Sequence, residues 1–578
     1  MLKQIIIQAG GKGTRLEGLT RNKPKCIVPY DNLPIIFHLF RKFKGARFTI
    51  IADYKIDVLE KYLQIFAENV DYRILKPRGE GTISGIKDAI SSFKNDESFM
   101  IIWCDLILSE SFKLPNELDS KVIESKTPVV DKLDSKETRY TKNYIGISKS
   151  FECRWSFEAG IFAEKPSFRH GVAGLFIFSN KKILKNIPTS GALVEWLQHQ
   201  NIEFNELSLE SCKEIGTLLA YTKCNPISLT RPFNKIEFRD KRAIKSPLDT
   251  QGREIAKKEV AWYKFVSKQG FADIPHIYKY EPLEMKQING KNIFEYECLL
   301  DSQKREILSQ IIATLHTLTP PRKAVKSDCI ETYITKTFSR LEKVKELIPF
   351  AKNEFIKINH RYYKNILFCK DTLCDLIEKH LPSAFVVIHG DCTFSNILFD
   401  SFNMKCVLID PRGYFGKSDI YGDKDYDFAK LYYSIVGNYD TFNRKKFSLL
   451  IESNSIELAI KTNGWENMEE YFFELISQKR FYIDSNLDSK NPKDSKKKLG
   501  NIESNLANLK DSKFIESNNA KNSNRKNPNF IESNIISKEK IKLLHALIWA
   551  GLTTYAWEDY DSICAAFYHS NILLDGII

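Results

Sequence analysis

The chain has 578 residues with a formal net charge of +13, and 43% of its residues are hydrophobic. That length exceeds one hydrophobic core, so at least two domains are expected, and no apolar run reaches the ~18 residues of a membrane span. Twelve cysteines occur without a C-x-x-C pair, which argues against a zinc site or a disulfide frame. The first residues lack the layout of a signal peptide, so the expected location is cytoplasmic. The positive charge by itself would suit nucleic acid or a membrane surface, but no nucleic-acid module is recognisable and none is expected as a partner.

In chain order, residues 5–25 read IIIQAGGKGTRLEGLTRNKPK. The isoleucines predict a buried parallel strand, and the glycines after it let backbone N–H groups approach an anion. Two familiar phosphate loops fail on spacing: Lys12 is followed by Gly13 rather than Ser or Thr, and Leu16 stands where a dinucleotide fingerprint needs its third glycine. Lys12, Arg15, Lys23 and Lys25 cluster around the turn, a charge that a solvated turn does not need. FTIIADY (48–54), FMIIWCDLIL (99–108) and VAGLFIFS (172–179) predict further strands, and KIDVLEKYLQIFAE (55–68) has helical period. Residues 1–225 therefore read as an α/β domain.

From Lys235 the pattern changes. KIEFRDKRAIKS predicts a hairpin, REIAKKEVAWYKFVSKQ a helix, and REILSQIIATLHTL (305–318) another, with a dense strand-loop-strand patch at 385–413. Residues 235–578 are expected to form a second, α+β domain. Within it, 484–540 is rich in Asn, Ser, Lys and Asp, with Ile-Glu-Ser-Asn at Ile502, Ile515 and Ile531 and an earlier copy at Ile451. Such a segment buries too little apolar surface to offset its chain entropy, so a disordered insertion is expected. Helical sequence is expected to resume at residue 541.

With its cationic tail, GGKGTRLEGLTRNKPK resembles the signature of the sugar-nucleotide pyrophosphorylase and choline-phosphate cytidylyltransferase family of nucleotidyltransferases. The resemblance implies a Rossmann-like α/β fold in which Gly10, Gly11, Gly13 and Thr14 wrap an NTP, Arg15 binds departing pyrophosphate and Lys25 contacts phosphate. It further implies that Gly81 and Thr82 of EGT meet base and ribose, and that Lys165 of AEKP contacts the acceptor phosphate. Asp105, ending FMIIWCD, and Glu214 of EIGT, standing where the family has Asp, would hold Mg²⁺. Fixed N–H donors and cations suit displacement at an α-phosphorus.

FVVIHGDCTFSNILFDSFNMKCVLIDPRGYFG resembles the aminoglycoside and choline kinase family, whose core logic is that of protein kinases. The resemblance implies a protein-kinase-like domain using ATP, with Asp391 as the base for the acceptor hydroxyl and Asn396 and Asp410 as Mg²⁺ ligands. Lys245 of AIKS would hold the α- and β-phosphates, paired with Glu259, with Glu254 as competitor. LEMKQINGKNI (283–293) looks like an adenine-holding hinge, and YGDKDYDFAKLYYS (421–434) like the downstream helix start.

The two chemistries join in series, since a kinase makes the phosphomonoester that a nucleotidyltransferase consumes. The expected function is a bifunctional transferase acting on a small, choline-like alcohol with CTP favoured as second nucleotide, for capsule or lipopolysaccharide decoration. The alternatives are a sugar kinase joined to a sugar-1-phosphate nucleotidyltransferase using UTP, dTTP or GTP, or a nucleotidyltransferase with a regulatory kinase-like module.

Overall fold

The structure is a computed structural model that describes residues 2–115, 120–122, 138–224, 234–477 and 537–578. The expected insertion falls almost wholly outside these residues. Only 537–540 is described, and there the helix begins at Lys538 rather than 541, because Ser537 caps it by accepting from the Lys540 N–H.

The first part of the chain is built on one mixed sheet. Strands β1 (Gln4–Gln8), β2 (Arg47–Ile51), β3 (Asp71–Leu75) and β4 (Phe99–Trp103) are parallel in the spatial order β3-β2-β1-β4. β5 (Tyr144–Ser148), β6 (Gly171–Phe178) and β7 (Asn205–Leu209) extend it, with β6 antiparallel to β4. Ile5 and Ile7 face one hydrophobic core and Ile6 the other, all with no exposure, so β1 is covered on both faces as its unbroken isoleucine run requires. The strand order reverses at β1. The carboxyl ends of β1 and β4 therefore flank the crevice where open α/β sheets bind ligands.

The second part opens with a four-stranded antiparallel sheet, β8 (Asn234–Arg239), β9 (Arg242–Pro247), β10 (Ile277–Tyr280) and β11 (Leu283–Lys286), in the order β8-β9-β11-β10. Helix α1 (Thr250–Lys268) follows β9, with Asp249 accepting from the Gly252 N–H at 2.7 Å as its cap. The strand-loop-strand patch folds as a hairpin of β12 (Ile397–Asp400) and β13 (Lys405–Leu408). Four helices complete this part where the site and the interface need them: α2 (Lys336–Val344), α3 (Lys424–Ile435), α4 (Lys538–Leu552) and α5 (Tyr560–Leu574). The Ile451 copy of the repeated tetrapeptide begins at the end of the strand Phe447–Ile451, so it is an ordered hairpin element.

The two parts share a buried boundary. The Trp557 ring lies 5.3 Å from that of Phe37 and 5.9 Å from that of Phe66, and the Tyr62 hydroxyl donates to the Trp557 carbonyl. Among the described residues no helix is long and apolar enough to cross a membrane.

One glycine is required by the sheet itself. Gly174 in β6 has φ 77°, beside a register shift opposite Ile145 and Ile147, and a Cβ there would enter the Trp103 ring. Both strain and overlap follow from any side chain. Gly174→Ala is expected to destabilise the protein by more than about 2 kcal/mol, read as a lowered melting temperature.

Candidate functional sites

The loop after β1 turns at Gly13, which has φ 64°, and a Cβ there would lie 2.9 Å from Thr20 Cγ2 and 3.2 Å from Lys25 Cβ. Gly10 and Gly11 are uncrowded, with nothing within 4 Å of a Cβ at Gly11. The chain then forms a kinked 3-10 segment, Thr14–Thr20, instead of a regular α-helix, because Glu17 also takes a left-handed φ of 51°. Thr14 and Arg15 are exposed on the rim, as is Lys12.

Asp105 sits in the turn after β4, two residues beyond the strand end, and forms an ion pair with Lys25; both side chains are only 11% exposed. Burial lowers the Lys25 pKa, but the adjoining Asp105 carboxylate raises it above the ordinary value overall. The short strand Lys213–Glu214 pairs with Leu106–Ile107, setting Glu214 opposite Leu106 and so beside Asp105. Burial, then the Asp105 charge, raises the Glu214 pKa. Two oxygen-donor carboxylates crowded in this way, with one lysine between them and the loop, are a donor set that suits a hard divalent cation.

Gly81 and Thr82 are tied to the same end of the sheet. Gln8 Nε2 donates to the Thr82 carbonyl at 2.7 Å, and Thr82 Oγ1 accepts from the Leu193 N–H at 2.8 Å. Gly81 has φ 85° and lies against the Gly191 backbone, where no Cβ fits. Lys165 is exposed in the turn after the strand Ile161–Ala163, and no side-chain contact joins it to the carboxylates among the described residues.

Lys23 does not belong with the other cations of the loop. It is 2% exposed and points away, into the second part of the chain, where Nζ bonds Asp559 Oδ1 at 2.9 Å and pairs with Asp561. Its neighbour Asn22 donates to the Leu449 carbonyl at 2.9 Å and to Asp561 Oδ1 at 3.1 Å. Asp559 also caps α5. Burial raises the Asp559 pKa, but Lys23 and Lys445 together pull it far below the carboxylate range. The sequence carried no sign of this partner, which lies more than 500 residues away.

In the second part, Lys245 Nζ on β9 lies 2.9 Å from Glu259 Oε2 on α1 and 2.9 Å from Asp410 Oδ1, just after β13. Glu254 is on the solvent side of α1, bonded to Lys257 at 2.8 Å, so Glu259 is the lysine's partner. Burial pushes the Glu259 pKa up to about 7 against the pull of Lys245.

Asp391, Asn396 and Asp410 come together because two loop segments are stitched. Arg412 N–H donates to the His389 carbonyl at 2.8 Å, and Ile409 N–H to that of Asn396 at 3.0 Å. Asn396 Nδ2 donates to Asp391 Oδ2 at 2.9 Å, which leaves its carbonyl oxygen to join the Asp410 carboxylate as hard donors suited to Mg²⁺. Two residues of α3 were missed by sequence reasoning. Asp427 accepts from the His389 and Gly390 N–H groups, each at 2.7 Å, and Lys430 Nζ lies 2.9 Å from Asp391 Oδ1. Their signal was the i, i+3 spacing within YGDKDYDFAKLYYS, which places both on one face of the helix.

The first part thus defines an open α/β sheet with a glycine loop and a strand-end carboxylate at its reversal point. Residues 4–202 match the family model described as Nucleotidyl transferase, and this part of the chain is a nucleotidyl transferase domain. It is similar to the mannose-1-phosphate guanyltransferase of Aspergillus fumigatus, 32% identical over 200 residues that cover 32% of this chain and 53% of that protein. It also resembles the bifunctional protein GlmU of Methanocaldococcus jannaschii, 30% identical over 112 residues, 19% of this chain and 26% of that protein. The chain spans about half the length, or less, of the curated relatives it matches. Among solved structures, HddC from Yersinia pseudotuberculosis aligns with 20% identity and a TM-score of 0.30, covering 39% of this chain and 98% of that one. The phosphocholine cytidylyltransferase LicC of Streptococcus pneumoniae aligns with 17% identity and a TM-score of 0.29, covering 39% and 97%.

Two outcomes follow from this geometry. Asp559→Asn leaves Lys23 buried with half its charge compensation, a change that costs about 3–5 kcal/mol for a buried pair, so the melting temperature of the full chain should fall. Burial raises the Asp427 pKa to about 7, against the two backbone N–H donors. Its folded value exceeds its unfolded one, so stability should decline as pH rises from about 4 to about 7 and flatten above. Asp427→Asn should make that slope in melting temperature against pH shallower, leaving the part due to Glu259, which burial also raises to about 7.

Proposed function

We propose that the chain is a bifunctional transferase: its second site phosphorylates a small hydroxyl compound with ATP, and its first site transfers a nucleotidyl group to the resulting phosphomonoester. The observation that carries the reading is the coexistence of two separate constellations, Lys25–Asp105–Glu214 and Lys245–Glu259–Asp410 with Asp391 and Asn396.

At the second site, Lys245, held by Glu259, orients the ATP phosphates, and Asp391 takes the proton of the acceptor hydroxyl. The acceptor oxygen bonds to the γ-phosphorus as the bond from that phosphorus to the β–γ bridging oxygen breaks, releasing ADP. Asn396 and Asp410 would hold Mg²⁺, which supplies charge neutralisation on the phosphates when bound.

At the first site, the N–H groups of Gly10 to Thr14 face the NTP, Gly81 and Thr82 border its nucleoside, and Lys165 reaches the acceptor phosphate. A phosphomonoester oxygen bonds to the α-phosphorus, the α–β bridge breaks, and pyrophosphate leaves toward Arg15 and Lys25. Asp105 and Glu214 would hold Mg²⁺ there. CTP is the nucleotide favoured by the alcohol-phosphate reading. The relatives named for guanyl transfer favour GTP with a sugar 1-phosphate, which is the second reading.

The test is a pair of variants in the full chain. Lys25→Met is expected to lower pyrophosphate release by more than about a hundredfold, the scale of losing one transition-state charge contact, and to leave ADP formation intact. With phosphocholine and mannose 1-phosphate supplied directly as acceptors, Asp391→Asn should do the reverse, losing ADP formation and keeping pyrophosphate release. Loss of ADP formation in Lys25→Met, or loss of pyrophosphate release in Asp391→Asn so supplied, with the fold retained, would overturn the assignment of two sites. Pyrophosphate release with CTP, GTP, UTP, dTTP and ATP in turn separates the two substrate readings.

A further inference from the structure

Beside Asp391 the second site carries an unusual wall. Arg412 Nη1 donates to the Tyr426 hydroxyl at 2.7 Å, and its guanidinium lies 4.3 Å from the centre of the Tyr414 ring. Lys336 on α2 lies 5.4 Å from the same Tyr414 ring, and Arg340, one turn further on, bonds the Tyr555 hydroxyl at 3.0 Å. Lys430 connects this wall to the reaction centre, pairing with Asp391 while its Nζ stands 6.0 Å from the Tyr426 ring. Gly390 is pressed against Arg412, since a Cβ there would lie 2.9 Å from Arg412 Cβ.

The charge on this wall is unbalanced. Among the described residues no ion pair joins Arg412, Lys336 or Arg340 to a carboxylate. Glu331 is the carboxylate whose field reaches Lys336. Burial and the neighbouring Arg412 and Arg340 charges lower the Lys336 pKa. Burial raises the Tyr414 pKa, yet Arg412 brings it down overall to about 8. Half-buried cations that repel one another and lean on phenol oxygens and ring faces are costly unless an anion completes them.

We infer that the acceptor phosphorylated at the second site carries an anionic group, a carboxylate or a phosphate, which docks on Arg412, Lys336 and Arg340 while its hydroxyl faces Asp391. A quaternary ammonium acceptor such as choline would meet like charge on this wall. The inference rests on the kinase reading of that site and replaces its choline-like acceptor with an anionic one.

The test uses the full chain with Mg²⁺ and ATP, reading both thermal melting and ADP release. D-glycerate and glycerol 3-phosphate supply carboxylate and phosphate arms, glycerol is neutral, and ethanolamine and choline are cationic. At least one anionic probe should stabilise the protein and speed ADP release, and which of the two does so identifies the group. Lys336→Met, at a half-exposed helix position, should weaken that probe about tenfold, the scale of one charge-assisted contact; Arg412→Met should do at least as much. A larger response to glycerol, ethanolamine or choline overturns the inference, as does the absence of any anion effect that Lys336→Met removes. The kinase reading fails separately, if Lys245→Met leaves ATP-dependent stabilisation and ADP release unchanged.

Discussion

The buried ion cluster of Lys23 with Asp559 and Asp561 is the constraint on which the arrangement of this protein depends. It spans 536 residues of sequence and joins the loop of the first site to the cap of α5. Charges out of water are tolerated only when each is met by opposite charge and hydrogen bonds. Lys23 meets both aspartates, Asn22 and Lys445 complete the set, and Ser562 donates to Asp559 at 2.6 Å. Two residues after Lys23, the chain presents Lys25 to Asp105. The nucleotidyl transferase loop is thus held from behind by the second part of the chain.

A common solution recurs at both candidate sites. Each buries a glutamate beside an aspartate, so that burial and then the neighbouring charge raise the glutamate's pKa, and sets a lysine against them: Lys25 with Asp105 and Glu214, Lys245 with Glu259 and Asp410. The lysine makes the pair tolerable without ligand, and the oxygen donors are those a divalent cation would take. The wall of Arg412, Lys336 and Arg340 has the opposite bias: among the described residues its cations form no ion pair with a carboxylate and rest instead on the oxygens and rings of Tyr414, Tyr426 and Tyr555.

The loop after β1 was legible because its signals are local. A short isoleucine run ended by glycines reads as a strand buried on both faces, and the turn after it takes a glycine at φ 64°. The order of Asp105 after a strand and of Asp391, Asn396 and Asp410 around a hairpin was legible for the same reason. The choice between Glu254 and Glu259 was not. Five positions apart on α1, they diverge by about 140° around the helix axis, and helical period alone does not say which face packs against β9.

What the sequence by itself determined was therefore the local chemistry: which strands are buried, where the backbone turns left-handed, and which acids and amides stand at strand ends. These follow from side-chain period and backbone sterics within a few residues. Only the tertiary structure decided which partner each charge has. Lys23 and Lys25 flank the extended Pro24, with ψ 155°, yet one serves the interface and the other the first site. Lys430, Arg412 and Lys336 come from three separate segments and meet at the rings of Tyr414 and Tyr426 only in the folded chain. Electrostatic partnership depends on distances through space, and no pattern along the chain encodes those distances.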